Sequence, residues 1–216
     1  QCEGSLRRLR VEHIDLYQTH NWDATVLIDE TMQALADLAT AGWVQQVGVS
    51  NVSYGQWFEG LTSGARMKVP IVTVQCLLNL LAPFRADMMA PRATSVLAYS
   101  PLAGGVLTGK YLERWGDGTR ADEFRHCPEP SAPGFIPRLS GYLLVDGLRS
   151  VAREADLTMT ALALRWLLSQ PIHGIILGAR TVAQLEEQFE ALDAGPLPIE
   201  VLARVDAVRE GVACAF

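Results

Sequence analysis

Cysteine is scarce and wrongly spaced for metal chemistry. Its four residues, Cys2, Cys76, Cys127 and Cys214, include no C-x-x-C pair. That spacing offers no zinc site and no disulfide framework, and the residues read as reduced thiols of a cytoplasmic protein. A basic excess is also lacking: 18 Lys and Arg stand against 24 Asp and Glu, a net charge of -6. A nucleic-acid partner, which calls for a basic stripe, is therefore not expected, although a local basic pocket stays open. Long apolar runs are missing too. The most hydrophobic stretch, 157–178, is interrupted by Arg165, Gln170, Pro171 and His173, so no membrane span is expected. Repeats, low-complexity tracts, a signal peptide and lipidation motifs are not seen, and no G-x-G-x-x-G follows a strand-like segment.

What remains is an ordinary globular composition, 49% hydrophobic and 19% charged over 216 residues. That is enough chain for one substantial core, and residues 1–216 read as a single domain. Short β-branched runs alternate with amphipathic helices. "HIDLYQTH" (13–20) predicts a strand, and Ile28, Met32, Leu35 and Leu38 mark a helix stopped by Gly42. "VQQVGVS" (44–50) is the second strand, after which Ser53 caps a helix to about residue 62. "IVTVQC" (71–76) is the third strand, a Pro-interrupted helical segment covers 83–92, and "SVLAYS" (95–100) is the fourth. A connection over 112–140, rich in Gly, Pro and charge, is the one candidate lid. Helices over 142–155 and 160–169 lead to a fifth strand, "IHGIILGA" (172–179). Helices from Thr181 to about Leu192 and over 198–212 close the chain. Strict alternation implies a parallel sheet flanked by helices. Periodicity leaves a doubly wound sheet and a barrel both open, and the missing glycine fingerprint weighs against the first.

In such folds, ligands gather at the carboxyl ends of the strands. Every strand here ends in a polar or aromatic residue: His20, Ser50-Asn51, Gln75, Tyr99-Ser100 and Gly178-Ala179-Arg180. With Lys110 they would offer an imidazole, amides, an aromatic face and two cations. A nicotinamide dinucleotide requires such a set, for its carboxamide, its ring and its phosphates. "GARTVAQLEEQ" (178–188) sets Gly and Arg just before a helix N-terminus capped by Thr181, where backbone N–H groups favour an anion and Arg180 can grip a phosphate.

Four blocks, "SLRRLRVEHIDLYQTH", "AGWVQQVGVSN", "AYSPLAGGVLTGKY" and "GARTVAQLEEQ", together resemble the aldo-keto reductase family, in the family's order and over nearly the whole chain. The "YSPLAGG-LTGKY" form resembles bacterial enzymes and the potassium-channel β subunits. The resemblance implies a (β/α)8 TIM-barrel-type fold, here an incomplete barrel of about five parallel strands with outer helices. It implies NADP(H) as cofactor and reduction of a small-molecule aldehyde or ketone by hydride transfer. By position, His20 matches the histidine beside the substrate carbonyl. Ser50, Asn51 and Gln75 match the groups holding the carboxamide, and Tyr99 the residue stacked under the nicotinamide. Ser100, Pro101, Leu102, Gly104 and Lys110 match the turn that wraps the pyrophosphate, with Arg120 beyond it. Gly178, Arg180, Gln184, Glu187 and Gln188 match the adenosine and 2′-phosphate site.

The departures carry their own expectations. The family's catalytic Asp, Tyr and Lys lie on early strands, and the resemblance begins in the helix before the fourth, leaving only His20. The family usually has a Tyr near Leu78, and the helical segment that follows is short by comparison. Gln1 falls inside a helix, so the chain is expected to be truncated and weakly active or inactive. The alternative is a non-catalytic NADP(H)-binding regulatory or sensor protein on the same scaffold, and a third reading is a remnant with packing alone. Five βα units cannot close an eight-stranded barrel, and open edges predict self-association. Tyr17 has the opposite strand parity from His20 and reads as packing against outer helices, while His13, His126 and His173 read as structural.

Overall fold

The computed structural model describes residues 1–82, 94–114 and 138–213. Five strands form one sheet in the order β1-β2-β3-β4-β5: β1 Ile14–Thr19, β2 Val44–Ser50, β3 Ile71–Leu77, β4 Ser95–Tyr99 and β5 Gly174–Ile176. β1, β2 and β3 run parallel. A doubly wound sheet reverses its strand order at a switch point. Strands that follow one another in chain order, with helices between them, are the wall of a (β/α)8 barrel, and the fold is an incomplete barrel of that type. The described residues divide into two compact units, one of 1–76 with 94–97, the other of 77–82 with 98–114 and 138–213.

In the first unit, α1 (Cys2–Leu9) precedes β1, α2 (Ile28–Thr40) follows it and α3 (Tyr54–Arg66) follows β2. α2 buries Met32 and Leu35, and the chain leaves it through Gly42 at φ 74. α3 begins with a reciprocal cap: Ser53 Oγ accepts from Gln56 N, and Gln56 Oε1 accepts from Ser53 N, which satisfies two N–H groups that the helix start leaves without partners. Asp29 accepts from both Ser63 Oγ and Arg66 at 2.6 Å, joining α2 to α3. Val47, Val49, Ile71 and Val74 form the buried strand layer, with Met32 and Trp57 among the buried helix side chains. Ile14↔Val44 through Thr19↔Val49 set the β1–β2 register. Between β2 and β3 the register shifts at Val47/Gly48, so that Gly48 faces Thr73 and Ser50 faces Gln75.

In the second unit, α4 (Arg138–Glu154) packs on α7 (Ile199–Ala213), and α5 (Met159–Leu167) packs on α6 (Val182–Asp193). Leu148, Leu162, Leu164, Trp166, Leu167 and Val205 are buried there. Arg165 closes the α6–α7 connection by donating to the carbonyls of Gly195 and Pro196, and Arg209 lies 5.2 Å over the Trp166 ring. The strand expected over 172–179 shrinks to three residues because Ile172 N donates to Gln170 O and turns the chain there. The helix expected from Tyr142 begins four residues earlier, at Arg138. The 83–92 segment, most of the 112–140 connection, Arg120, His126, Cys127 and Cys214 lie outside the described residues. Among the described residues no helix is long and apolar enough to cross a membrane, and no group of three His, Cys, Asp or Glu side chains could hold a metal ion.

Candidate functional site

The second unit contains a cavity of about 690 Å³. From the end of β4 come Tyr99, Ser100, Pro101, Leu102, Gly104 and Lys110; from the β5–α6 segment come Gly178, Arg180, Gln184, Glu187 and Gln188. The structure thus brings to one cavity every sequence candidate that falls in this unit and within the described residues.

The turn after Tyr99 is built from left-handed residues. Ser100, Ala103, Gly104 and Gly105 have φ of 54°, 48°, 64° and 94°, and two of the four are glycine because an L side chain is strained there. Gly105 meets a second constraint: an added Cβ would lie 2.8 Å from Lys110 Nζ. Hydrogen bonds from Ala103 N to Ser100 O, Gly105 N to Leu102 O and Leu107 N to Leu102 O fold the turn back on itself. Asn79 anchors its entry. This buried amide donates to Ser100 O at 2.9 Å while its own oxygen accepts from the N–H groups of Leu81 and Ala82. Lys110 is an exposed residue whose Nζ sits 5.0 Å from the Tyr111 ring centre.

The start of α6 forms another part of the cavity wall. Thr181 Oγ1 caps the helix by accepting from Gln184 N, and Gln184 Oε1 reaches back to accept from Arg180 N at 2.9 Å. Gln188 donates to both Gly178 O and Gln184 O, so its nitrogen ties the approach loop to the helix. Its oxygen Oε1 is left without a partner among the described residues, although the side chain is only 2% exposed. An orphaned buried acceptor costs about 1–3 kcal/mol unless something supplies a donor. Arg180 and Glu187 are exposed, and among the described residues neither Lys110 nor Arg180 has a carboxylate partner. Two cations, a helix start and an orphaned acceptor fit a phosphorylated ligand with donor groups of its own.

The first unit carries a second cluster at the ends of β1, β2 and β3. Asn51, at φ 55, donates its backbone N–H to Gln75 O at 3.2 Å and its side chain to His20 O at 2.8 Å. His20 itself is exposed. Ser50, opposite Gln75 in the register, is 3% exposed, and its hydroxyl has no partner among the described residues. Gln75 donates to Gln18 Oε1 at 3.1 Å, and Gln18 donates to Thr73 Oγ1 at 2.9 Å. A buried, unpartnered hydroxyl beside amides fits a carboxamide-bearing ligand. Tyr17 turns the other way, towards α1: burial raises its phenol pKa, Cys2 adds to the rise and Arg8 opposes it. Cys76, next to Gln75 in the chain but pointing away from it, is pushed up to about 12 by burial, so its thiol stays protonated and inert at neutral pH.

Sequence reasoning missed Gln18, Thr73 and Asn79. Parity puts Gln18 on the face of His20, and Thr73 on that of Gln75, but their meeting depends on strand register. Asn79 takes its role from the turn it braces, a contact with Ser100 that lies 21 residues on.

The chain is similar to known proteins over most of its length. The profile of the Aldo/keto reductase family matches residues 1–210. The chain is 35% identical over 198 residues to the aldo-keto reductase YhdN of Bacillus subtilis, covering 88% of this chain and 56% of that protein. It is 29% identical over 213 residues to an L-glyceraldehyde 3-phosphate reductase of Escherichia coli O157:H7, covering 94% of this chain and 60% of that one. A probable voltage-gated potassium channel subunit beta of Arabidopsis thaliana is 30% identical over 223 residues, 95% of this chain and 65% of its own length. The chain therefore spans 56–65% of the lengths of these relatives.

Proposed function

The chain belongs to the aldo/keto reductase family, and on that premise we propose that it is an NADP(H)-dependent oxidoreductase acting on small aldehydes or ketones. The observation that carries the reading is the second unit's cavity, where Lys110, Arg180 and the start of α6 meet the orphaned acceptor of Gln188. In this reading the cavity takes the adenosine and phosphates, Arg180 gripping the 2′-phosphate and Lys110 the pyrophosphate. Tyr99 offers its ring to the nicotinamide. Ser50, Asn51 and Gln75 are assigned the carboxamide by their match to the family, and the unpartnered hydroxyl of Ser50 supports that assignment.

When bound, NADPH supplies a hydride to the carbonyl carbon. The carbonyl oxygen then needs one proton, which a histidine can donate near neutral pH. His20 is the residue assigned to hold the carbonyl oxygen and deliver that proton. Arg120 belongs to the same proposal as a further phosphate contact.

The alternative reading is a non-catalytic NADP(H)-binding regulator on the same scaffold, to which the likeness to a probable voltage-gated potassium channel subunit beta draws attention. Following NADPH consumption against a panel of aldehydes separates the two. The enzyme reading predicts turnover that His20→Ala abolishes while NADPH affinity is kept; saturable binding without consumption selects the regulator. Absence of both binding and turnover contradicts each.

A further inference from the structure

A glutamine amide has a donor side and an acceptor side, and which one it presents depends on what holds the other. Gln75 is held by a neighbour two strands away. Gln18 on β1 stands opposite Gly48 on β2, and Gly48 stands opposite Thr73 on β3. Because residue 48 has no side chain, Gln18 lies across the β2 backbone. A Cβ at Gly48 would be 2.0 Å from Thr73 Oγ1 and 3.0 Å from both Cγ and Nε2 of Gln18. The Gln18 amide is fixed at both ends: Nε2 donates to Thr73 Oγ1 at 2.9 Å, and Oε1 accepts from Gln75 Nε2 at 3.1 Å. Thr73 is buried, Gln18 and Gln75 are partly so, and the relay crosses three strands on one face of the sheet.

We propose that Gln18 is a positioning residue for the nicotinamide carboxamide. By engaging the nitrogen of Gln75, it commits that residue's oxygen to the ligand, as an acceptor for the carboxamide N–H. The inference rests on the NADP(H) reading above and adds a direction to it. With Gln18 in place, Gln75 distinguishes a ring bearing –CONH2 from one bearing a group without N–H. Without Gln18, the amide of Gln75 is free to turn, and a donor facing a donor forms no bond. Gln18 reaches the ligand only through Gln75.

The test is a comparison of affinities in the full chain. NADPH is measured against its 3-acetylpyridine analogue, in which a methyl replaces the amide nitrogen, and 2′-phospho-ADP-ribose, which has no nicotinamide, serves as control. One hydrogen bond corresponds to about a fivefold preference for NADPH in the unaltered protein. Gln18→Met is expected to bring that preference close to one and to leave 2′-phospho-ADP-ribose binding unchanged. Gln18→Glu keeps an acceptor for Gln75 Nε2 and is expected to keep the preference. A Gln18→Met protein that still discriminates overturns the inference, as does an unaltered protein that binds both cofactors equally. If neither NADPH nor 2′-phospho-ADP-ribose binds the unaltered protein, the cofactor reading itself fails and this inference with it. Should Gln18→Met not fold, the Gln75 side-chain amide in the ligand-free unaltered protein decides by NMR: slowed exchange of one Nε2 proton is expected, and exchange at the rate of a free amide contradicts the relay.

Discussion

Gly48 shows how one residue's absence of a side chain organises a site. Its position between Gln18 and Thr73 cannot accept a Cβ 2.0 Å from a threonine oxygen. Thr73 is β-branched and stiff about χ1, so it cannot swing aside cheaply. Gly48→Ala is expected to destabilise the fold by about 1–3 kcal/mol, the usual cost of overpacking, with urea denaturation as the measurement. The same Cβ would lie 3.0 Å from Gln18 Cγ and Nε2 and displace the side chain that holds Gln75, so discrimination at the carboxamide is expected to fall together with stability. None of this could be read from "VQQVGVS" alone. The run identified a strand, and Ser50 as its polar end, but a glycine in a strand takes its meaning from what crosses it. The crossing side chains come from positions 30 residues before it and 25 residues after it.

At the scale of elements, helix starts with a side-chain cap were read best, and the start of α4 and the length of β5 worst. Thr181 was expected to cap α6, and it does, accepting from Gln184 N. Ser53 likewise opens α3. Caps are local: a hydroxyl and an N–H three residues on settle the outcome, whatever the rest of the chain does. β5 is not local. A run of eight residues reads as a strand, yet only Gly174–Ile176 pair, because the turn at Gln170–Ile172 and the departure towards α6 take the ends away. α5 begins one residue earlier than its pattern indicated, since Thr158 supplies the cap. The α6 cap also gives a prediction. Thr181→Ala removes a side-chain acceptor and is expected to cost about 1 kcal/mol. That corresponds to a melting temperature lower by about 2–4 °C for a chain of this size. Because Gln184 holds Arg180 N from the same turn, NADPH affinity should fall alongside, which titration by fluorescence would show.

For the whole molecule, the alternation of strands and helices already implied a parallel sheet, but two architectures share that alternation. What separates them is strand order, a property of pairing between distant segments. The order β1-β2-β3-β4-β5 resolves the choice in favour of an incomplete (β/α)8 type. The candidate residues were legible as residue types at strand ends because ligands of such folds collect there. The bonding inside each cluster, the relay through Gln18 in the first unit and the brace at Asn79 in the second, was not, since each joins segments far apart in the chain. The functional account rests most heavily on Arg180. It is exposed, has no carboxylate partner among the described residues, and precedes a capped helix start on the cavity wall. The decisive measurement is calorimetric titration of the chain with NADPH and with NADH, before and after Arg180→Ala. The account predicts that NADPH binds more tightly than NADH by roughly tenfold, as one charge-assisted phosphate contact provides. The substitution should erase that advantage while leaving NADH affinity in place. A chain that does not bind NADPH, or whose preference survives the loss of Arg180, contradicts it.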